Sequence, residues 1–266
     1  PKISIEGQGI KRGLTAVEAG ILMEEPLDKI LTMIMFGLLK KEAITITQKE
    51  PLTIKASEPL PEGLIDYAKG FIQAFLKDSL PDRKRELQTT IIDLVNSVTA
   101  KMKGFSKAET VAYYKDIITR AWKAVTDAQT PEIKSAQYDH TLEWTMLDKN
   151  FNTKTEETFS GGPVIIPVWW PRYNPGWQPS PQTSGGGLSL PASSGSGTSS
   201  GGSRPSLSLP NIPGSDFAAS MIHGASGLAA GAIGDLTGFT SAVTSKTNPI
   251  PTVSVSSGSG GFRGRG

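Results

Sequence analysis

Cysteine is absent from the chain, and histidine occurs only as His140 and His223. The first absence excludes disulfides and thiolate metal sites. The second means that the three or four convergent ligands of a metal centre would have to come mainly from carboxylates. No stretch of eighteen apolar residues occurs, so the sequence offers no membrane-spanning helix. Charge of one sign is lacking as well: 27 basic residues against 25 acidic ones leave a formal charge of +2, too little for strong non-specific attraction to nucleic acid. No G-x-S-x-G, Walker loop, H-E-x-x-H or Rossmann glycine pattern appears. The carboxylates of 58–159 alternate with lysines and arginines at helical spacing, as on solvated faces. The sequence therefore assigns no catalytic residue, no cofactor, no metal and no small-molecule substrate.

What is present divides unevenly. The 29 glycines and 19 prolines crowd with serine after Ser160, where charge nearly vanishes. Such composition buries too little apolar surface to offset chain entropy, so the folded core is expected in roughly the first 150 residues. The chain begins Pro1-Lys2-Ile3, without an initiating methionine or a leader pattern, and reads as a piece of a longer protein.

The stretch 10–57 reads as a small module. Thr15 and Glu18 form a capping-box pair, opening a short helix whose face carries Ala16, Ala19 and Gly20. Pro26 suits the first turn of a second helix, which runs to about Lys41. There Leu27, Ile30, Leu31, Ile34 and Leu38 recur at spacings of three and four, and Met33, Met35, Phe36 and Leu39 widen the stripe. A helix this apolar must be covered on more than one side. "AITIT", the turn "QKEP" and "LTIKA" then give a hairpin signature. Helix, helix and hairpin are the outline of a winged-helix-like unit.

Residues 61–148 show helical periodicity four times over, with a second capping-box pair at Ser106 and Glu109 and a helix start at Thr130 and Pro131. Short connections between such helices predict a small helical bundle. The fold class expected is mainly α: a winged-helix-like module, a helical bundle, and a largely disordered Pro/Gly/Ser-rich tail. Within that tail, 149–180 reads as an extended aromatic and proline strap. Residues 181–214 read as a disordered linker, 215–245 as an Ala/Gly-rich helical island that Asp216 could cap, and 246–266 as a disordered end.

Two sets of residues are candidates for function. The strap "VWWPRYNPGW" places Trp169, Trp170, Tyr173 and Trp177 as a ligand for a partner groove, with Met33 and Phe36 as a contact face on the module. Alternatively, the second helix and hairpin contact DNA through Lys40, Lys41, Lys49 and Lys55. That reading lacks the Arg, Asn and Gln side chains that read base edges. His140, with Asp139 and Glu143 beside it, reads as an ordinary helix histidine rather than an acid–base or metal group. The series Gly224, Gly227, Gly231 and Gly234 suits a helix that approaches another backbone closely.

"LTAVEAGILMEEPLDKILTMIMFGLLKKEAITI", followed by helices and a Gly/Ser-rich end, resembles the cytoplasmic part of a family of predicted bacterial membrane proteins of unknown function. The resemblance is carried by residues 14–47. It implies a winged-helix-like segment at the inner face of a membrane, in a protein that also has an extracytoplasmic β-rich region and transmembrane helices. No catalytic residue comes with it, and no membrane span accompanies it here. The combined expectation is a non-enzymatic, cytoplasmic protein-interaction or scaffold module with a protein partner, in a membrane-associated setting. The alternative is a winged-helix transcriptional regulator.

Overall fold

The computed structural model describes residues 7–177 and 211–248. It is mainly helical, with two small antiparallel sheets.

Helix α1 (Ala16–Leu22) starts on the predicted capping box: the Glu18 N–H donates to Thr15 Oγ1 at 3.2 Å, and the Thr15 N–H donates to Glu18 Oε2 at 3.0 Å. Past its end Glu24 adopts a φ of 62°, and the N–H groups of Glu24 and Glu25 close on the carbonyls of Ile21 and Gly20. Helix α2 (Leu27–Lys40) ends in the same double closure, with Glu42 at φ 56° and the N–H groups of Glu42 and Ala43 on the carbonyls of Leu39 and Leu38. A left-handed residue other than glycine costs about 1 kcal/mol. At both positions the glutamate side chain makes an ion pair, Glu24 with Lys107 at 2.5 Å and Glu42 with Arg172 at 2.8 Å.

Ten of the fourteen residues of α2 are buried, and they lie on every side of the helix. The strands β1 (Ile44–Gln48) and β2 (Thr53–Ala56) pair antiparallel, Ile46 opposite Ile54, with a bulge between Ile46 and Gln48. Two helices and a hairpin thus follow in the predicted order.

Four further helices build the body. They are α3 (Asp66–Phe75), α4 (Leu80–Lys101), α5 (Lys107–Thr126) and α6 (Pro131–Thr145). Ser79, Ser106 and Thr130 cap the last three by accepting from the N–H groups of Asp82, Glu109 and Ile133. Helix α3 begins at Asp66 rather than near Pro61. Helices α3 and α4 pack together, as do α5 and α6. Their apolar faces share one continuous core with α1, α2 and β1.

Beyond Asp148 the chain departs from the extended strap expected over 149–180. Residues Phe151–Phe159 form α7, in which Phe151, Thr155 and Phe159 are buried at intervals of four. A stripe of three residues is too short to stand out as a period, and Thr155 hides it further. After β3 (Pro163–Ile165) the strap makes one helical turn, α8 (Trp170–Tyr173), and reaches Trp177. Residues 178–180 lie outside the described residues.

The chain resumes at β4 (Asn211–Pro213), which pairs antiparallel with β3, Val164 opposite Ile212. Then follow α9 (Gly214–Ile233) and α10 (Leu236–Thr247), separated by Gly234 at φ 72°. The cap of α10 is Asp235, which accepts from the Gly238 N–H at 2.9 Å, and Asp216 lies in the first turn of α9. The end of the expected linker (211–214) and the start of the expected terminal tail (246–247, closed by the cap residue Asn248) are therefore regular structure. The rest of both lies outside the described residues. The helical island docks on the core: α9 lies against α2, α4 and α7, and α10 against α4.

Candidate interaction surface

The surface that joins the two separated parts of the chain is built around Phe36 on α2. Phe36 is fully buried. The edge of its ring meets Trp169 at 5.7 Å between centroids, and Tyr173 lies at 5.2 Å. The strap turns helical here because Pro171 falls in the first turn of α8, which places Trp169, Trp170 and Tyr173 around the end of α2. All three are buried.

Polar contacts fix the strap from outside. Trp169 Nε1 donates to Asp139 Oδ1 on α6 at 2.5 Å. Arg172 reaches β1 and the end of α2, donating to Thr45 Oγ1 at 3.2 Å and pairing with Glu42 at 2.8 Å. Lys49 Nζ, in the hairpin turn, donates to Asn174 Oδ1 at 2.5 Å and sits 4.0 Å above the Tyr173 ring. Burial holds its ammonium below the ordinary lysine range. A cation over an aromatic face is worth about 0.5–2 kcal/mol, more as it loses water.

Helix α9 closes this surface with Gly214, Phe217, Met221 and Gly224, buried positions along one stripe. Phe217 stacks on Trp170 at 5.1 Å and presents edges to Tyr138 and Phe159. The Tyr173 hydroxyl donates to the Ser220 carbonyl at 2.7 Å. Burial pushes that hydroxyl up to about 12. A Cβ on Gly224 would lie 2.2 Å from Tyr173 Oη and 3.1 Å from Phe36 Cζ, and one on Gly214 would lie 1.8 Å from the Phe159 carbonyl oxygen. Both glycines are what lets the helix come this close.

No family model, no curated protein and no solved structure matches the chain.

The predicted residues fall as follows. Trp169, Trp170, Tyr173 and Phe36 come together, as one interior cluster rather than as an exposed face. Trp177 is half-buried at the strap's end, its N–H on the Asn174 carbonyl at 3.1 Å. Met33 is fully buried and faces α1 at Gly20. Of the lysines proposed for DNA, Lys41 and Lys55 are exposed, Lys40 is half-buried with Nζ 3.5 Å from the His140 carbonyl, and Lys49 is taken up by the strap. Helix α2 presents no free face to a groove. His140 is exposed, and its neighbour Asp139 receives the Trp169 indole.

Sequence reasoning missed Glu42, Asp139, Arg172, Phe217 and Met221. Only the last two carried a signal, through their spacing to Gly224 at seven and three residues. Of the others nothing in the order of residues announces a partner 30 or more positions away.

Proposed function

We propose that this chain is a non-enzymatic protein-interaction or scaffold module, working as the cytoplasmic part of a larger, membrane-associated bacterial protein. The observation that carries this reading is the seating of α9. A helix reached after a long Gly/Ser/Pro-rich stretch lays an aromatic, a methionine and a glycine at spacings of four and seven into an aromatic-lined surface, the geometry of helix-in-groove recognition. The chain thus uses a remote helical segment as the ligand of its own core. The membrane setting and bacterial source rest on the resemblance of residues 14–47. No described helix is long and apolar enough to cross a membrane.

The aromatic residues of the strap act here by shaping the groove, and a partner reads them through the helix they receive. The burial of α2 weighs against the DNA-binding alternative. The test is capture from native lysate by the immobilised full chain and by a Gly224→Val variant that unseats α9, with proteins and nucleic acids identified together. A stoichiometric protein partner whose retention changes in the variant supports the reading. Salt-dependent retention of duplex DNA, lost on neutralising Lys40, Lys41 and Lys55, would replace it with the regulator reading.

A further inference from the structure

We propose that the groove over α2 and the strap also receives α9 from a second copy of this chain, so that two copies interlock by exchanging their 211–248 segments. The proposal names the partner for the interaction module and rests on that reading.

Apart from β4 and α10, which travel with it, the seat of α9 is built by residues of the first part of the chain. Phe36, Tyr138, Phe159, Trp170 and Tyr173 meet Phe217 and Gly224, and β3 supplies the strand that pairs β4. The exposed rim is remote as well, with Lys84 on α4 pairing Asp235 at 3.6 Å. None of these contacts joins residues near in sequence; the Tyr173–Ser220 bond spans 47 positions. The groove therefore makes identical contacts whichever copy carries the helix, the condition under which exchange yields a closed two-fold dimer without any new interface.

Two further properties favour exchange over release. The 20 residues of α9 include Gly214, Gly224, Gly227 and Gly231, and glycine weakens a helix relative to alanine. Free of the groove, a glycine-interrupted helix of this length is marginal in water, so docking in a groove, of either copy, is what holds α9 helical. Residues 178–210 connect the two parts, and 33 residues reach at most about 110 Å when extended, ample to bridge neighbouring copies. A tether gives docking within one copy an effective concentration up to the order of millimolar. Single copies are then monomers at micromolar concentration, and copies gathered on a shared surface interlock.

The absence of native cysteine makes the test clean. Two full-length variants, Lys84→Cys and Asp235→Cys, each carry a protease site inserted between residues 178 and 210. After cutting, which removes the advantage of the tether, they are mixed at micromolar concentration and treated with a short bis-thiol linker. The double variant Lys84→Cys/Asp235→Cys reports that the segment is docked, whichever copy supplies it. Exchange predicts that about half of the Lys84→Cys bodies become joined to a foreign segment, as random reassortment requires. Uncut mixtures should reach this only near millimolar concentration. If the cut double variant cross-links while the mixture does not within a day, α9 is a permanent part of one core and the proposal fails. Loss of the cross-link in the cut double variant defeats it too, since the groove then cannot hold the segment untethered. Partner capture from lysate is read separately, so either idea can fail alone.

Discussion

The hydroxyl of Tyr173 donates to the main-chain carbonyl of Ser220 across 2.7 Å, and one turn further on, Gly224 lies beneath the same hydroxyl with no room for a side chain. The strap and α9 are therefore fitted to each other at a single point. The hydrogen bond sets the height of the helix, and the glycine permits it.

Substitution at two glycines of α9 should act in opposite directions. Gly224→Ala forces a methyl against Tyr173 Oη and should destabilise by about 1–3 kcal/mol, the range for an overpacked core. Gly231 has nothing within 4 Å of its would-be Cβ, so Gly231→Ala should stabilise by about 0.5–1 kcal/mol through helix propensity. In a Tyr173→Phe background the loss from Gly224→Ala should shrink, a coupling that urea melts of the four-membered cycle would measure.

Alkali should weaken the fold in a defined window. Burial raises the hydroxyls of Tyr67 and Tyr173 to about 12 and those of Tyr114 and Tyr138 upward as well. In the unfolded chain they titrate near 10. Their contribution is fully present below pH 10 and is lost as pH rises from about 10 to about 12, because the unfolded state releases protons that the folded state retains. At pH 11 the tyrosinate absorbance of the native chain should lie below that of the urea-unfolded chain.

Tyr114 ties the segment before α1 to α5. Its hydroxyl accepts from the Leu14 N–H at 2.8 Å and donates to the Lys11 carbonyl at 3.1 Å. Tyr114→Phe strands both groups and should lower stability by about 1–3 kcal/mol, with faster hydrogen exchange concentrated at residues 9–15.

The buried carboxylate of Glu18 is held by the Thr15 N–H and by Lys101. Lys101→Met removes its cationic partner and should cost about 1–3 kcal/mol. Glu18→Gln in the same background should recover part of the loss, since a neutral amide needs no counter-charge; denaturation of the single and double variants checks this.

How much of this was legible depended on distance along the chain. Thr15, Ser106 and Thr130 announced their helices because a cap and the amide it serves lie three residues apart. The hairpin showed itself by alternation around a short turn. The apolar circumference of α2 showed that it must be covered, but not that α9 covers it, because the covering residues begin more than 170 positions later. The strap's aromatics were visible as a cluster. Whether they faced outward or inward turned on Asp139, Arg172 and Glu42, ordinary surface residues until the fold brings them together. Helix α7 was lost because three buried positions cannot establish a period.

Hydrogen exchange followed by mass spectrometry on the full chain tests the central claim most directly. If the strap and α9 are part of one core, amides of 163–177 and 214–233 will exchange far more slowly than in an unfolded chain, in step with α7, while α2 is the slowest of all. Exchange of 163–177 and 214–233 at unfolded-chain rates, with α1 to α6 still protected, would contradict the account and make both segments free tail.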